Sequence, residues 1–103
     1  MFVARWKIDA RFGQKAAAIE LMRKWEREIG PQVGLDAMQF ELLTGSIGAL
    51  EATIETNHKV ETLAELETFF GKLAQLPAHA AWGKDLEPLV VSGTSRWEIY
   101  RVL

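Results

Sequence analysis

The chain of 103 residues carries two histidines, His58 and His79, and no cysteine. Imidazole is the side chain whose unperturbed pKa falls near neutrality, so these are the natural candidates for moving a proton. His79 stands three residues before Trp82, on one face of a short segment opened by Leu76-Pro77. Trp6 lies in the middle of an alternating run, and Phe70 lies in a helical stripe. Trp6, Phe70, His79 and Trp82 are therefore expected to line a pocket for a small apolar or aromatic molecule, with His79 as the candidate proton-transfer group. Aromatic rings give a flat ligand large contact area, and indole adds a polar N–H handle. The plainer alternative is a core Trp6 and a surface His79 beside a packed Trp82. His58 falls in Asn57-His58-Lys59, read as the end of a strand and the start of an exposed loop. Trp25 and Trp97 read as packing residues.

Several chemistries lack their residues. Without cysteine there is no disulfide, thiolate metal site or cysteine nucleophile. Neither histidine has a second ligand one helical turn away, so no metal is expected. No phosphate-binding glycine loop, nucleophile elbow or zinc motif occurs, and no cofactor is expected. Arg11-Phe12-Gly13 is too little for an acylphosphatase-type phosphate loop.

The elements that must position these residues follow from periodicity. Residues 2–9 alternate, with Phe2, Ala4, Trp6 and Ile8 on one side, as in a half-buried strand. After Gly13, the residues Ala18, Leu21, Met22, Trp25 and Ile29 recur at helical spacing. Gly30-Pro31 is expected to end that helix, glycine in the left-handed cap and proline beyond it. Met38, Phe40 and Leu42 form a second alternating run, and Leu50, Ala52 and Ile54 a third, joined by the Gly45–Gly48 turn as a hairpin. Thr62 and Glu65 form a capping box. Leu63, Leu66, Phe69, Phe70 and Leu73 follow on one side of the helix behind it. Pro77 opens a further helical segment carrying His79, Trp82 and Leu86, and residues 96–103 alternate as a fourth strand.

This β-α-β-β-α-β order is the ferredoxin-like, α+β arrangement of a single domain over 1–103. Right-handed crossovers place both helices on one face of a four-stranded antiparallel sheet. The apolar face of the sheet is assigned to the helices. The opposite face carries Arg5, Lys7, Gln39, Glu41, Glu51, Thr53 and Glu55, with Glu98 and Tyr100 from the last strand. It is either a solvated surface or the place where two copies meet with opposite charges paired. The third strand, read as 49–56, carries no aromatic for base stacking, which argues against an RNA-binding module. The formal net charge of −2 argues against nucleic acid in general. The first residues place Arg5 and Lys7 within the opening apolar stretch, unlike a signal peptide, and the apolar runs are too short to span a bilayer. No membrane partner and a cytoplasmic location are expected.

Along its full length the chain resembles the dimeric α+β barrel superfamily. The likeness is carried by the strand Phe2–Ile8 running into Gly13, by the Glu65–Leu73 helix, and by the tail from Trp82 to Leu103. That tail, Trp82-Gly-Lys-Asp-Leu-Glu-Pro-Leu-Val-Val-Ser-Gly with Glu98-Ile-Tyr-Arg-Val-Leu103, is similar to the end of small bacterial NIPSNAP-type proteins. Antibiotic-biosynthesis-monooxygenase-like proteins are more distant kin. The resemblance implies a homodimer closed through the sheet face bearing Arg5, Lys7, Glu41, Glu51 and Glu55. It also implies a ligand cleft between sheet and helices, open to cofactor-independent monooxygenase-like chemistry. A haem-degrading role would want an asparagine on the first strand, which is absent, and a tryptophan–histidine order that His79 and Trp82 reverse. A non-catalytic dimerisation module is the alternative.

Overall fold

The structure is a computed structural model and describes residues 1–35 and 39–103. Its strands are β1 (Phe2–Asp9), β2 (Phe40–Thr44), β3 (Thr53–Val60) and β4 (Arg96–Arg101), and its helices are α1 (Lys15–Glu28), α2 (Leu63–Ala74) and α3 (Pro77–Leu86). The strands form one sheet in the order β2-β3-β1-β4, with every neighbouring pair antiparallel. This is the expected ferredoxin-like fold. Met38, expected on the apolar face, lies outside the described residues.

Period-two alternation decides what each strand buries. Ala4 stands opposite His58 and Ile99, Trp6 opposite Thr56 and Trp97, and Ile8 opposite Ile54. Cross-strand partners share a face, so all of these side chains point toward the helices. Ala4, Ile8 and Ile54 are buried there against Ala18, Met22 and Trp25 of α1 and Leu66, Phe69 and Leu73 of α2. The third alternating run has the expected parity but different ends. The strand runs from Thr53 to Val60, while Leu50 is exposed in the loop before it. Asn57 and Lys59 are poor strand formers alone, but β3 is hydrogen-bonded on both sides, and tertiary pairing overrides propensity. His58 is thereby a mid-sheet, inward-facing residue that is only 3% exposed, not a loop histidine.

The helix ends follow local chemistry. In α2 the Glu65 backbone N–H donates to Thr62 Oγ1 at 3.2 Å, and Glu65 Oε2 accepts from the Glu61 N–H at 2.9 Å. The capping box is present with its return bond one residue earlier than the standard form. Leu63 is exposed rather than part of the apolar stripe. Helix α1 stops at Glu28, and Gly30–Val33 form a 3-10 turn closed by Gly34 at φ 79°. The left-handed glycine is thus Gly34, not Gly30. Gly30 is packed instead: a Cβ there would lie 3.2 Å from Leu35 Cδ2. Among the described residues, no helix is long and apolar enough to cross a membrane.

Candidate functional site

Between the sheet and α2–α3 the side chains leave a cavity of about 420 Å³. Its floor is the inner face of the sheet: Trp6 from β1, Phe40 from β2, Thr56 and His58 from β3, and Trp97 from β4. The walls come from Met22 and Trp25 of α1, Phe69 and Phe70 of α2, and His79 and Trp82 of α3. All four residues expected from sequence, Trp6, Phe70, His79 and Trp82, meet at this one cavity. His58, Trp25 and Trp97 line it as well, and sequence reasoning did not assign them to it. The alternation that carries Trp6 inward carries Trp97, its partner across β1 and β4, to the same face. That parity was a usable signal for Trp97.

The walls are mutually braced aromatics. The Trp6 and Trp82 rings lie 6.3 Å apart, and Trp25 sits 6.4 Å from both Trp82 and Phe69. Phe70 meets Trp97 edge to face at 4.9 Å, and Trp97 is 41% exposed, which places this pair at the solvent side of the cavity. Each of three indoles has its N–H satisfied. Trp6 Nε1 donates to Ser95 Oγ at 2.8 Å, Trp82 Nε1 to the Leu21 carbonyl at 2.7 Å, and Trp25 Nε1 to His79 Nδ1 at 3.0 Å. The ring faces are therefore what these tryptophans offer a ligand.

The two imidazoles differ in what they can do. A neutral histidine has one lone pair and one N–H. Since His79 Nδ1 accepts from Trp25, its proton sits on Nε2, and His79 is a donor stacked on Trp82 at 18° between planes. That hydrogen bond occupies the lone pair that proton acceptance by His79 requires. His58 lies 4.7 Å from the Phe69 ring, and its Nε2 has no hydrogen-bond partner among the described residues. Burial holds both imidazoles below the ordinary 6.5, because a low-polarity surround disfavours the charged ring. His58 and Phe69 also border a second, more polar recess of about 390 Å³ along α2. None of the described residues lining the aromatic cavity is Lys, Arg, Asp or Glu.

The outer sheet face has different chemistry. Lys7 Nζ contacts Glu98 at 3.0 Å and Glu55 at 3.7 Å, and Arg5 lies 4.0 Å from Glu55 and over the Tyr100 ring. Glu98 also accepts from Arg96 and Tyr100. The Lys7 ammonium, aided by Tyr100 and Arg96, lowers the Glu98 carboxyl to about 2. The charges thus pair within one chain, through Glu98 as well as Glu55. Glu41 shares this face, but Glu51 lies in the turn before β3 and not on the sheet, because the strand begins at Thr53, three residues after the Leu50 that opens its alternation.

No family model matches the chain, and no curated protein matches it. Solved structures do. A NIPSNAP family protein from Agrobacterium tumefaciens superposes with a TM-score of 0.80 at 20% identity, over 99% of this chain and 92% of that one. An uncharacterised NIPSNAP-like domain protein from Burkholderia xenovorans gives 0.72 at 20%, over 99% and 84%. A putative antibiotic biosynthesis monooxygenase from Nitrosomonas europaea gives 0.72 at 13%, over 100% and 99%. At these identities the likeness is one of fold, and the fold is the ferredoxin-like, NIPSNAP-type one that the sequence resembles.

Proposed function

We propose that this chain, with the ferredoxin-like fold it shares with NIPSNAP-type structures, binds a small, planar, largely apolar molecule between its sheet and α2–α3. The observation that carries this reading is the cavity of about 420 Å³ walled by Trp6, Trp82, Phe70 and Trp97. Its size lies in the lower half of the ~300–1,000 Å³ typical of small-molecule sites, and apolar walls with a few polar groups are their usual make-up. Trp6, Phe70 and Trp82 supply ring faces, and His79 supplies the Nε2 donor. The catalytic extension, in line with the name of the Nitrosomonas europaea neighbour, is cofactor-free monooxygenation by dioxygen of an electron-rich ring that itself gives up the two electrons needed, one oxygen atom entering the ring and the other leaving as water.

The test is quenching of tryptophan fluorescence by naphthalene, with Phe70→Ala and Trp97→Ala as variants at the partly exposed side of the cavity. Saturable quenching in the parent chain, weakened several-fold in both variants, supports the reading; quenching that is linear and equal in all three refutes it.

The protein is further proposed to act as a homodimer through the outer sheet face bearing Arg5, Lys7, Glu41 and Glu55. The support is the mixed-sign pattern there and the buried Arg5 Nε, Glu55 Oε1 and Asn57 Oδ1, which have no hydrogen-bond partner among the described residues, Arg5 and Glu55 meeting only as an ion pair at 4.0 Å. A face of both signs can complement itself across a twofold axis. If the cavity takes no ligand, this face leaves a non-catalytic dimerisation module as the function.

A further inference from the structure

We propose that His58 is the polar anchor of the aromatic cavity, and that the molecule it holds is a neutral ring system bearing a hydroxyl group. The inference rests on the cavity being a ligand site and adds what the ligand must carry. His58 is 3% exposed, on the floor of the cavity, and its Nε2 has no partner among the described residues. Buried polar side-chain atoms are nearly always hydrogen-bonded, so an orphan beside an open volume calls for a group from outside the chain. Two other polar atoms of the lining are already engaged. Ser95 Oγ accepts from Trp6, and His79 Nδ1 accepts from Trp25.

The chemistry of the partner follows from the lining. None of the described lining residues is Lys, Arg, Asp or Glu, and burial disfavours the charged form of both histidines, so a charged ligand would enter without a counter-charge, at a steep desolvation cost. A neutral group remains. A hydroxyl both donates and accepts, so it can pair with Nε2 whichever tautomer His58 adopts. The rest of the ligand meets Phe69, Trp97, Trp6 and Trp82 and is apolar and flat.

Two probes separate this from simple apolar binding: naphthalene, and 2-naphthol, which adds one hydroxyl to the same ring. In a cavity without an anchor the hydroxyl only adds a desolvation penalty, and naphthalene binds at least as well. With His58 as anchor, the parent chain favours 2-naphthol by about tenfold, the discrimination expected when a buried partner would otherwise stay unpaired. His58→Phe keeps naphthalene binding and brings the ratio close to one. A parent ratio near one, or a preference that survives in His58→Phe, overturns the anchor and leaves the apolar pocket standing. Binding of neither probe overturns the pocket and the anchor together. Should His58→Phe not fold, the ¹⁵N resonance of His58 Nε2 in the parent chain decides: it shifts with 2-naphthol and not with naphthalene, and equal behaviour with both overturns the proposal.

Discussion

The hydrogen bond from Trp25 Nε1 to His79 Nδ1 joins residues 54 positions apart in sequence and fixes the tautomer of the ring. Trp25→Phe removes the donor and frees the Nδ1 lone pair. The expected outcome is a change in the tautomer balance of His79, read from its two ¹⁵N shifts, with the His58 signals unmoved. Both imidazoles are held below 6.5 by burial. Each is neutral in the fold and gains a proton more readily when unfolded. Their contribution to stability is therefore present above 6.5 and drains away as pH falls through the folded values. An NMR titration is expected to place both midpoints below 6.5, and a midpoint at or above it for His58 would contradict its burial. The melting temperature of the parent chain is expected to fall between roughly pH 7 and 5 more than that of His58→Phe.

At the scale of elements, β3 carries the site, and it is where sequence and structure part. The alternation Leu50, Ala52, Ile54 has the parity of the inward face, so Ile54 was legible as core. The ends were not, because a period-two pattern looks the same wherever a strand starts, and Asn57-His58-Lys59 has the composition of a turn. Only pairing with β1 and β2 together keeps those residues extended. The apolar stripe of α2, its Thr62 cap and the helix after Pro77 were legible because their signals are local. The links from Trp25 to His79 and from Trp6 to Ser95 span 54 and 89 residues, and nothing local announces them. Two substitutions test the element-level account by chemical denaturation. Ile54→Ala empties a fully buried position in the strand bonded on both sides and is expected to cost ~2–5 kcal/mol. Thr62→Ala removes the α2 cap and is expected to cost ~1 kcal/mol. Equal small losses from both would contradict the central place given to β3.

On the scale of the whole molecule, the sheet divides two kinds of chemistry: an aromatic cavity beneath the helices and a charged face on the other side. The charged face is expected to join two copies, so light scattering should give twice the 11.6 kDa of one chain. Lys7→Glu places like charges beside Glu55 and Glu98 and should shift the population toward monomer. A parent chain that stays monomeric at micromolar concentration removes the dimer. Glu98, lowered to about 2 chiefly by Lys7, stays ionised far into acid. Its support for the fold is complete above 4.5 and is lost as pH falls toward about 2. A ligand held in the cavity must be lost when the cavity is filled. Ala74 lines the cavity from the end of α2 and is itself exposed, so Ala74→Phe can place a ring in the cavity without disturbing the buried core. The measurement is the thermal shift that naphthalene causes in the parent chain and in Ala74→Phe. Naphthalene is expected to stabilise the parent, as does any ligand that binds only the folded state, and to leave the blocked variant unchanged. An equal shift in both, or none in either, would contradict the cavity as a ligand site.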